Sequence, residues 1–367
     1  MTLPEVSLKE VRYLLVDDGI FWDPQRVLSG NDLKNPEGDA IYLHNQNQDP
    51  SPESAIPFST YDGMALKNIF HEALGMEVYV LSSKNRFSEI IESRMKVLNI
   101  AGYFPNLGDR MRFLEQFRQK HDCNFRNLLY FGNDEAILET TRNDNGPIVV
   151  TERPVTAPST QYFSLKRPHM LRQFANRYVM ALPQIVQLLE VLRQDTTTPI
   201  TSLHKNSKPT LILDIDGTCT DAAMIFATDD SRWKRFSKRD IAAIKRWNQA
   251  GNYVFFVTGE NGFIPYRLAA LTETPESHVF TDAGNRKRSI VSALCQKYDI
   301  NFSDIAYVGD DINDFGVMES LVQHHGWIAC PSTAIPIIQT IPRVHILQST
   351  GGDGAIAEAI SLFSKNT

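Results

Sequence analysis

The feature that most constrains the fold of this chain is an internal repeat of short sequence blocks at nearly constant spacing. The block GMEVYVLSSKN at 75–85 matches GNYVFFVTGEN at 251–261, 176 residues later. The block YFGND at 130–134 matches YVGDD at 307–311, 177 residues later. A repeat of this length predicts two tandem copies of one fold, each large enough to fill its own core.

An earlier block extends the alignment and reveals an insertion. The sequence LLVDDG at 14–19 aligns with ILDIDG at 212–217, so that Val16 falls on Asp214. The offset there is larger, because the first copy carries about 22 additional residues around the polar stretch 45–54. We expect this insertion to form a surface loop or an extended hairpin.

Short apolar runs alternate with amphipathic stretches in both copies. In the second copy, an apolar run at 210–213 is followed by an amphipathic stretch at 241–247 and then by another apolar run. This order predicts an α/β fold in which each copy is a Rossmann-like parallel sheet flanked by helices. The polar, proline-containing stretch 195–208 predicts a linker between a first domain, 1–194, and a second, 209–367.

Composition excludes several classes of partner. The net charge is −6 and the basic residues are scattered, which argues against nucleic acid. The chain starts without the basic and apolar segments of a signal peptide and contains no run of about 18 apolar residues, so we expect a soluble cytoplasmic protein without membrane association. Its four cysteines lack the paired spacing of zinc sites. A small substrate is therefore expected.

Two carboxylates stand at the end of a strongly apolar predicted strand in the second copy. Asp214 and Asp216 follow the run 211–213, and ligands bind at the carboxyl ends of strands in open parallel sheets. An Asp-Gly turn that merely closes a strand is the alternative for this block by itself. The later blocks favour a site, because Thr258 ends the next apolar run and an acidic block follows at 309–311.

These blocks together resemble the four motifs of the haloacid dehalogenase superfamily, in the same order, over about 209–367. The matching residues are, in motif order, Asp214, Asp216, Gly217 and Thr218; Thr258 and Gly259; Lys287; and Gly309, Asp310 and Asp311. The resemblance implies a phosphatase that acts on a small phosphate monoester.

The resemblance also assigns roles to these residues. It implies that Asp214 is the nucleophile, which forms an aspartyl-phosphate, and that Asp216 is the general acid and base. Thr258, Gly259 and Lys287 would bind the phosphoryl oxygens. Lys287 stands between two arginines, so a solvated basic helix face is the alternative for this residue.

Magnesium is the cofactor that the resemblance implies, since Mg²⁺ prefers hard oxygen ligands. Its protein ligands would be Asp214, the backbone carbonyl of Asp216, Asp310 and Asp311. Asp314 is a further candidate, and the sequence leaves open which of Asp311 and Asp314 assists the metal. Carboxylates at the first turn of a helix also occur as caps.

The spacing of the motifs leaves no room for a large cap domain. About 40 residues separate Thr218 from Thr258, and the stretch 224–233 alternates around a polar tip, which predicts a β-hairpin. The chain is most similar to the capless sugar-acid phosphatases typified by 3-deoxy-manno-octulosonate 8-phosphate phosphatase. Those relatives assemble as tetramers in which hairpins and tails complete neighbouring sites, so the resemblance implies a homo-oligomer.

Three positions depart from that family's pattern. Glu260 stands where its T-G-R motif has arginine, Ile241 replaces a glycine after the hairpin, and Ala357 replaces an arginine near the tail. Because of these departures, the resemblance supports phosphatase chemistry better than it supports that family's particular substrate.

The first copy has lost most of the motif residues in this alignment. It has Val16, Met111 and Asn133 where the second copy has its nucleophile, lysine and acidic residue, and only Asp18 and Ser82 survive. We therefore expect a non-catalytic first domain that covers the site of the second.

Asp17 lies next to Val16, but a shift of one residue turns a strand side chain to the opposite face of the sheet. We expect that it does not substitute for the nucleophile. Two other functions remain open for the whole chain: a phosphotransferase or mutase with the same aspartyl-phosphate, and a binding or scaffold protein in which both copies are inert.

Overall fold

The computed structural model describes residues 8–22, 26–83, 87–143, 146–153, 162–167, 169–180, 182–194 and 208–365. The chain divides into two compact units, of which the first comprises 1–27 and 56–185 and the second comprises 28–55 and 186–367. All but the last residue of the predicted linker 195–208 lies outside the described residues. No helix in the described ranges is long and apolar enough to cross a membrane.

Seventeen strands occur in the described part of the chain. In chain order they are β1 (Tyr13–Asp17), β2 (Leu28–Ser29), β3 (Ala40–His44), β4 (Ser54–Ser59), β5 (Glu77–Leu81), β6 (Gly102–Phe104), β7 (Leu128–Phe131), β8 (Ile148–Thr151), β9 (Tyr162–Ser164), β10 (Thr210–Leu213), β11 (Ala223–Ala227), β12 (Arg232–Ser237), β13 (Tyr253–Val257), β14 (Val279–Phe280), β15 (Ile305–Val308), β16 (Trp327–Cys330) and β17 (His345–Ile346).

The α-helices of the described residues alternate with these strands. They are α1 (Gly30–Lys34), α2 (Thr60–Met64), α3 (Ser88–Leu98), α4 (Arg110–Lys120), α5 (Glu135–Arg142), α6 (Met170–Phe174), α7 (Pro183–Gln194), α8 (Lys238–Gln249), α9 (Ile264–Leu271), α10 (Lys287–Tyr298), α11 (Phe315–Gln323), α12 (Pro336–Gln339) and α13 (Ala355–Phe363). Helices α2 and α6 continue as π-helical segments, Ala65–Ala73 and Ala175–Val179.

Each unit is built on a six-stranded parallel sheet. The order is β6-β5-β1-β7-β8-β9 in the first unit and β14-β13-β10-β15-β16-β17 in the second. The central strands β1 and β10 are the first strands of their six-stranded sheets in chain order, and their buried side chains belong to the core of their own unit. The predicted α/β fold with helix-flanked parallel sheets is confirmed, and the two sheets have the same strand order.

A third sheet combines the hairpin β11–β12 with three strands from the segment 28–59. Its order is β2-β4-β11-β12-β3, in which β11 and β12 form an antiparallel hairpin. Strand β3 pairs with β12 from Ala40↔Ser237 to His44↔Trp233. On the other side, the Thr228 amide donates to the Ser54 carbonyl oxygen at 2.9 Å.

The polar stretch 45–53 is a loop between β3 and β4, as the surface-loop alternative predicts, whereas the extended-hairpin alternative is wrong. Strands β3 and β4 do not pair with each other but lie on opposite sides of β11 and β12. A two-stranded hairpin has two edges of unpaired backbone groups, and an open edge is a site for further strand pairing. The insertion satisfies these groups within the same chain.

Two residues of the insertion tie it to the second unit. Asp39 accepts hydrogen bonds from the Ser237 hydroxyl at 2.5 Å and from the Arg239 amide at 3.1 Å, so it helps to cap α8. Leu43 is buried in the same hydrophobic cluster as Phe236. The segment 28–55 belongs to the second unit for this reason, whereas the sequence-based division assigns it to the first domain.

We predict that Leu43→Ala destabilises the second unit by about 2–3 kcal/mol, because it leaves a cavity at the edge of that unit's core. Three of the four tryptophans, Trp233, Trp247 and Trp327, lie in this unit, so denaturation followed by tryptophan fluorescence reports on it. The matched control is Leu271→Ala, at a side chain that is 39% exposed. Equal effects of the two substitutions would show that the insertion is not part of this core.

Candidate active site

The motif residues of the second unit meet at the carboxyl ends of its central strands. Asp214 directly follows β10, and its amide donates to the Val308 carbonyl oxygen of β15 at 3.0 Å. Thr258 directly follows β13, the neighbour of β10 on the other side. The parallel strand order alone therefore brings residues that are far apart in sequence to one edge of the sheet.

A fully buried lysine lies at the centre of the site. Lys287 is the first residue of α10, and its Nζ lies 2.7 Å from Asp214 Oδ1 and 2.7 Å from Asp314 Oδ1. Burial lowers the pKa of Lys287, but the two carboxylates outweigh that effect and raise it above its ordinary value. The solvated helix face considered as an alternative does not apply to this residue.

Asp314 accepts hydrogen bonds at both of its carboxylate oxygens. Its Oδ2 accepts the amides of Asp310 at 3.0 Å and Asp311 at 3.1 Å, and its Oδ1 accepts the Tyr307 hydroxyl at 2.6 Å as well as Lys287. Both oxygens are engaged, so Asp314 anchors the acidic loop and the lysine.

Asp310 offers a free oxygen in the same place. Its Oδ1 accepts the Thr218 hydroxyl at 2.8 Å, whereas its buried Oδ2 has no hydrogen-bond partner among the residues that the structure describes. Asp214, Asp310 and Asp314 each bring one carboxylate oxygen within 4.8 Å of the others. An unpartnered buried carboxylate oxygen beside other carboxylates is the donor set that a hard divalent cation requires.

Crowding of carboxylates changes their acidity. Burial raises the pKa of Asp214 to about 7, against the lowering effect of Lys287. Burial and the nearby Asp214 raise the pKa of Asp310 well above its usual range. A bound cation acts in the opposite direction, because it stabilises the ionised carboxylates.

Asp311, the fourth predicted metal ligand, is not part of this cluster. Its Oδ1 accepts the Ile312 amide at 2.5 Å, and it caps the short 3₁₀ turn that precedes α11. This arrangement corresponds to the capping alternative, in which the first acidic residue of a helical turn binds backbone amides.

The predicted phosphate-binding residues line the adjoining loop. Thr258 is buried, and its Oγ1 accepts the Glu260 amide at 3.1 Å, which leaves the hydroxyl proton available as a donor. Gly259 lies beside the turn before α10, since a Cβ added to it would be 3.7 Å from the Gly284 amide nitrogen.

Two residues that the sequence analysis did not select complete the surroundings of Asp216. Lys234 of strand β12 is fully buried, and its Nζ lies 2.6 Å from Asp216 Oδ1 and 2.8 Å from Oδ2. The same ammonium group forms an ion pair with Glu260. Burial raises the pKa of Glu260 to about 7, against the lowering effect of Lys234. The sequence carried one indication that Lys234 is buried. Side chains alternate between the two faces of a β-strand, so Lys234 lies on the same face of β12 as the buried Phe236.

The glycine-rich run near the C-terminus packs against the first motif. A Cβ on Gly351 would lie 2.0 Å from the Gly217 carbonyl oxygen, so only glycine permits this approach. Arg235 of the hairpin donates to the Gly352 carbonyl oxygen at 2.9 Å, and Asp240 accepts the amides of Gly354 and Ala357 at 3.1 and 2.8 Å. These contacts fix the tail beside the Asp214 loop.

Strand register corrects the alignment of the first unit. Val16 pairs with Val80 and Asp17 with Leu81 in the first sheet, whereas Leu213 pairs with Phe256 in the second. Because β5 and β13 match at the constant offset of the repeat, Asp17, and not Val16, is the counterpart of Asp214. Matching the Asp-Gly letters had shifted the alignment by one residue.

The lysine position of the first unit is also corrected. Arg110 begins α4 as Lys287 begins α10, and its Nη1 lies 2.9 Å from Asp17 Oδ1, so Met111 is not the counterpart. Tyr130 donates to Asp17 Oδ2 at 2.6 Å. The predicted reversal of the Asp17 side chain is therefore wrong.

Two other positions of the first unit lack the required carboxylates. In the corrected register, Gly19 is the counterpart of Asp216, and Asp18 instead accepts the Ser82 hydroxyl at 2.6 Å. Asn133, the counterpart of Asp310, is an amide that donates to Glu152 at 3.1 Å and accepts the Glu152 amide at 3.1 Å.

Comparison with known proteins decides the family, although no protein-family model matches the chain. The 3-deoxy-D-manno-octulosonate 8-phosphate phosphatase KdsC of Escherichia coli K12 is 31% identical over 154 residues, which cover 41% of this chain and 77% of the relative. The enzyme of the same name from Salmonella typhi is 30% identical over 154 residues, with the same coverage. The chain belongs to the haloacid dehalogenase superfamily of phosphatases and is KdsC-like.

Solved structures of KdsC-like phosphatases also match the chain. The Moraxella catarrhalis enzyme, determined with magnesium ion, phosphate ion and KDO, has a TM-score of 0.39 and 21% identity and covers 49% of this chain and 91% of its own. The cobalt-bound phosphatase of Haemophilus influenzae has a TM-score of 0.38 and 23% identity and covers 43% and 88%.

Proposed function

We propose that this KdsC-like chain is a magnesium-dependent phosphatase that hydrolyses a small phosphate monoester of a sugar or sugar acid at Asp214. The observation that carries the proposal is the position of Lys287, 2.7 Å from both Asp214 and Asp314, beside the unpartnered Oδ2 of Asp310. The ammonium group of a lysine, a carboxylate nucleophile and a carboxylate oxygen that can bind a metal ion thus lie together at one edge of the sheet.

In the first step, a carboxylate oxygen of Asp214 attacks phosphorus and the bond from phosphorus to the leaving oxygen breaks. Asp216 gives its proton to that oxygen, so the product leaves as a neutral alcohol. Lys287 and the Thr258 hydroxyl hold the phosphoryl oxygens and offset the charge that the attacking carboxylate adds.

In the second step, Asp216 takes a proton from water as that water attacks phosphorus. The bond from phosphorus to the Asp214 oxygen then breaks, which releases phosphate and restores both carboxyl groups. Lys234 is 2.6 Å from Asp216 and positions that side chain in its protonated and its ionised form. One residue therefore serves as acid and then as base.

The carboxylates of Asp214 and Asp310 and the backbone carbonyl of Asp216 would hold the magnesium ion. When bound, it supplies positive charge to the phosphoryl oxygens. Asp314 positions this set through Lys287 and the amides of the acidic loop.

The first unit is proposed to be a non-catalytic copy that arose by tandem duplication. Its equal strand order and its Asp17–Arg110 pair support common ancestry. The loss of a carboxylate at Gly19 removes the general acid, and the neutral Asn133 removes a metal ligand. We assign the covering role to segment 28–55, whose strand β3 pairs with the strand that carries Lys234.

We predict that Asp214→Asn abolishes magnesium-dependent release of phosphate from sugar phosphates, because an amide is a far poorer nucleophile than a carboxylate. Phosphate release from p-nitrophenyl phosphate and a panel of sugar phosphates provides the measurement. Asp299→Asn, at the opposite end of α10 and at a positive φ that asparagine also adopts, is the control. Turnover by Asp214→Asn above about 1% of wild type would remove Asp214 as the nucleophile.

Asp310→Asn should raise the magnesium concentration needed for half-maximal activity by about tenfold or more, because it removes an ionised oxygen ligand. Asp311→Asn should have a smaller effect, since that side chain caps a turn. Titration of activity with magnesium in the two variants compares them directly. The reverse order would exchange their roles.

Asp17→Asn should leave turnover unchanged but weaken the first unit by about 3 kcal/mol, because it breaks a buried pair with Arg110. Hydrogen exchange at the amides of β1 and β7 measures the local stability, and phosphate release measures turnover. Asp122→Asn, an exposed site in the same unit, is the control. A loss of turnover with unchanged exchange would make Asp17 catalytic.

A further inference from the structure

Three charged side chains, those of Asp216, Lys234 and Glu260, form a cluster here called the leaving-group triad. This cluster limits which chemical groups of a substrate can lie beside Asp216. Lys234 is 0% exposed, and the side chains of Asp216 and Glu260 are 29% and 11% exposed. Asp216 is thus the member through which a ligand reaches the triad. The leaving oxygen must lie next to it to receive a proton.

The ammonium group of Lys234 is directed at the two carboxylates of the triad. It lies within hydrogen-bonding reach of three carboxylate oxygens, two from Asp216 at 2.6 and 2.8 Å and one from Glu260. A lysine has three N–H donors. The ammonium group donates hydrogen bonds to Asp216 Oδ2 and to Glu260 and forms an ion pair with Asp216 Oδ1, and its single positive charge offsets only one of the two carboxylates.

Two other basic side chains of the hairpin have partners outside the triad, although Arg232 is also close enough to Glu260 to interact with it electrostatically. The guanidinium of Arg232 lies over the Phe226 ring, 5.4 Å from its centroid, and Arg235 donates to the Gly352 carbonyl oxygen. A carboxylate on the leaving group would instead meet the carboxyl groups of Asp216 and Glu260. Like charges repel more strongly in a partly buried site than in water, because the effective dielectric constant is lower there.

We infer that the leaving group is an uncharged, hydroxyl-rich sugar or polyol, and that Glu260 selects against phosphorylated sugar acids. This inference rests on the proposed phosphatase function and narrows its substrate class. Hydroxyl groups suit the triad because they donate hydrogen bonds to carboxylate oxygens without adding charge. Glu260 is accordingly a specificity-determining residue.

The test compares two substrates that differ only at the group in question. Glucitol 6-phosphate ends in a hydroxymethyl group, where 6-phosphogluconate ends in a carboxylate. We expect kcat/KM of the magnesium-loaded full-length protein to favour glucitol 6-phosphate by about tenfold or more. Glu260→Gln should reduce that preference at least about fivefold, because it removes a negative charge and frees a lysine donor.

Glu276→Gln removes the same charge from an exposed position of the same unit and should leave the preference unchanged. A wild-type preference for 6-phosphogluconate, or an unchanged preference in Glu260→Gln, would overturn the inference.

The proposed function can fail separately. If p-nitrophenyl phosphate is not hydrolysed either, the phosphatase proposal fails, and the ratio of the two Kd values measured by calorimetry decides the inference instead. A tighter Kd for glucitol 6-phosphate that is lost in Glu260→Gln supports the role of Glu260. Equal or reversed Kd values contradict it.

Discussion

The organisation of the second unit depends on one buried cation, Lys287, between two carboxylates. An unpaired ammonium group in this position would be strongly destabilising, so Asp214 and Asp314 must both be present and correctly placed. Asp314 in turn fixes the acidic loop through two backbone amides and the Tyr307 hydroxyl. The interaction that compensates for burial of the lysine therefore also orients the carboxylates of the site.

The components of this site follow from local sequence and sheet topology. Asp214, Thr258 and Asp310 each stand at or just beyond the end of an apolar run, and neighbouring parallel strands bring such ends together. Lys287 could be selected from the order of the motifs because it opens a helix beside the same edge. Their proximity could thus be predicted without knowledge of side-chain contacts, although their catalytic roles stay predictions.

Features that depend on pairing between distant segments could not be predicted in this way. The register of β1 is set by hydrogen bonds to β5 and β7, which the repeated Asp-Gly letters do not reveal, and so Asp17 was misplaced by one residue. The destination of the insertion was missed because nothing within it identifies β12 as its partner. Lys234 was overlooked because its carboxylate neighbours come from two other loops.

The five-stranded sheet has a consequence for the order in which the chain acquires structure. Asn45 and Arg232, which are hydrogen-bonded across this sheet, are 187 residues apart. At typical rates of synthesis, a ribosome needs roughly 10–40 s to add that many residues. Segment 28–55 consequently leaves the ribosome long before the hairpin that it flanks. The polar loop 45–53 can stay hydrated during this interval, whereas Leu43 of β3 gains its core contacts only after β12 has been made. Completion of the second unit therefore waits for a contact of very long sequence separation.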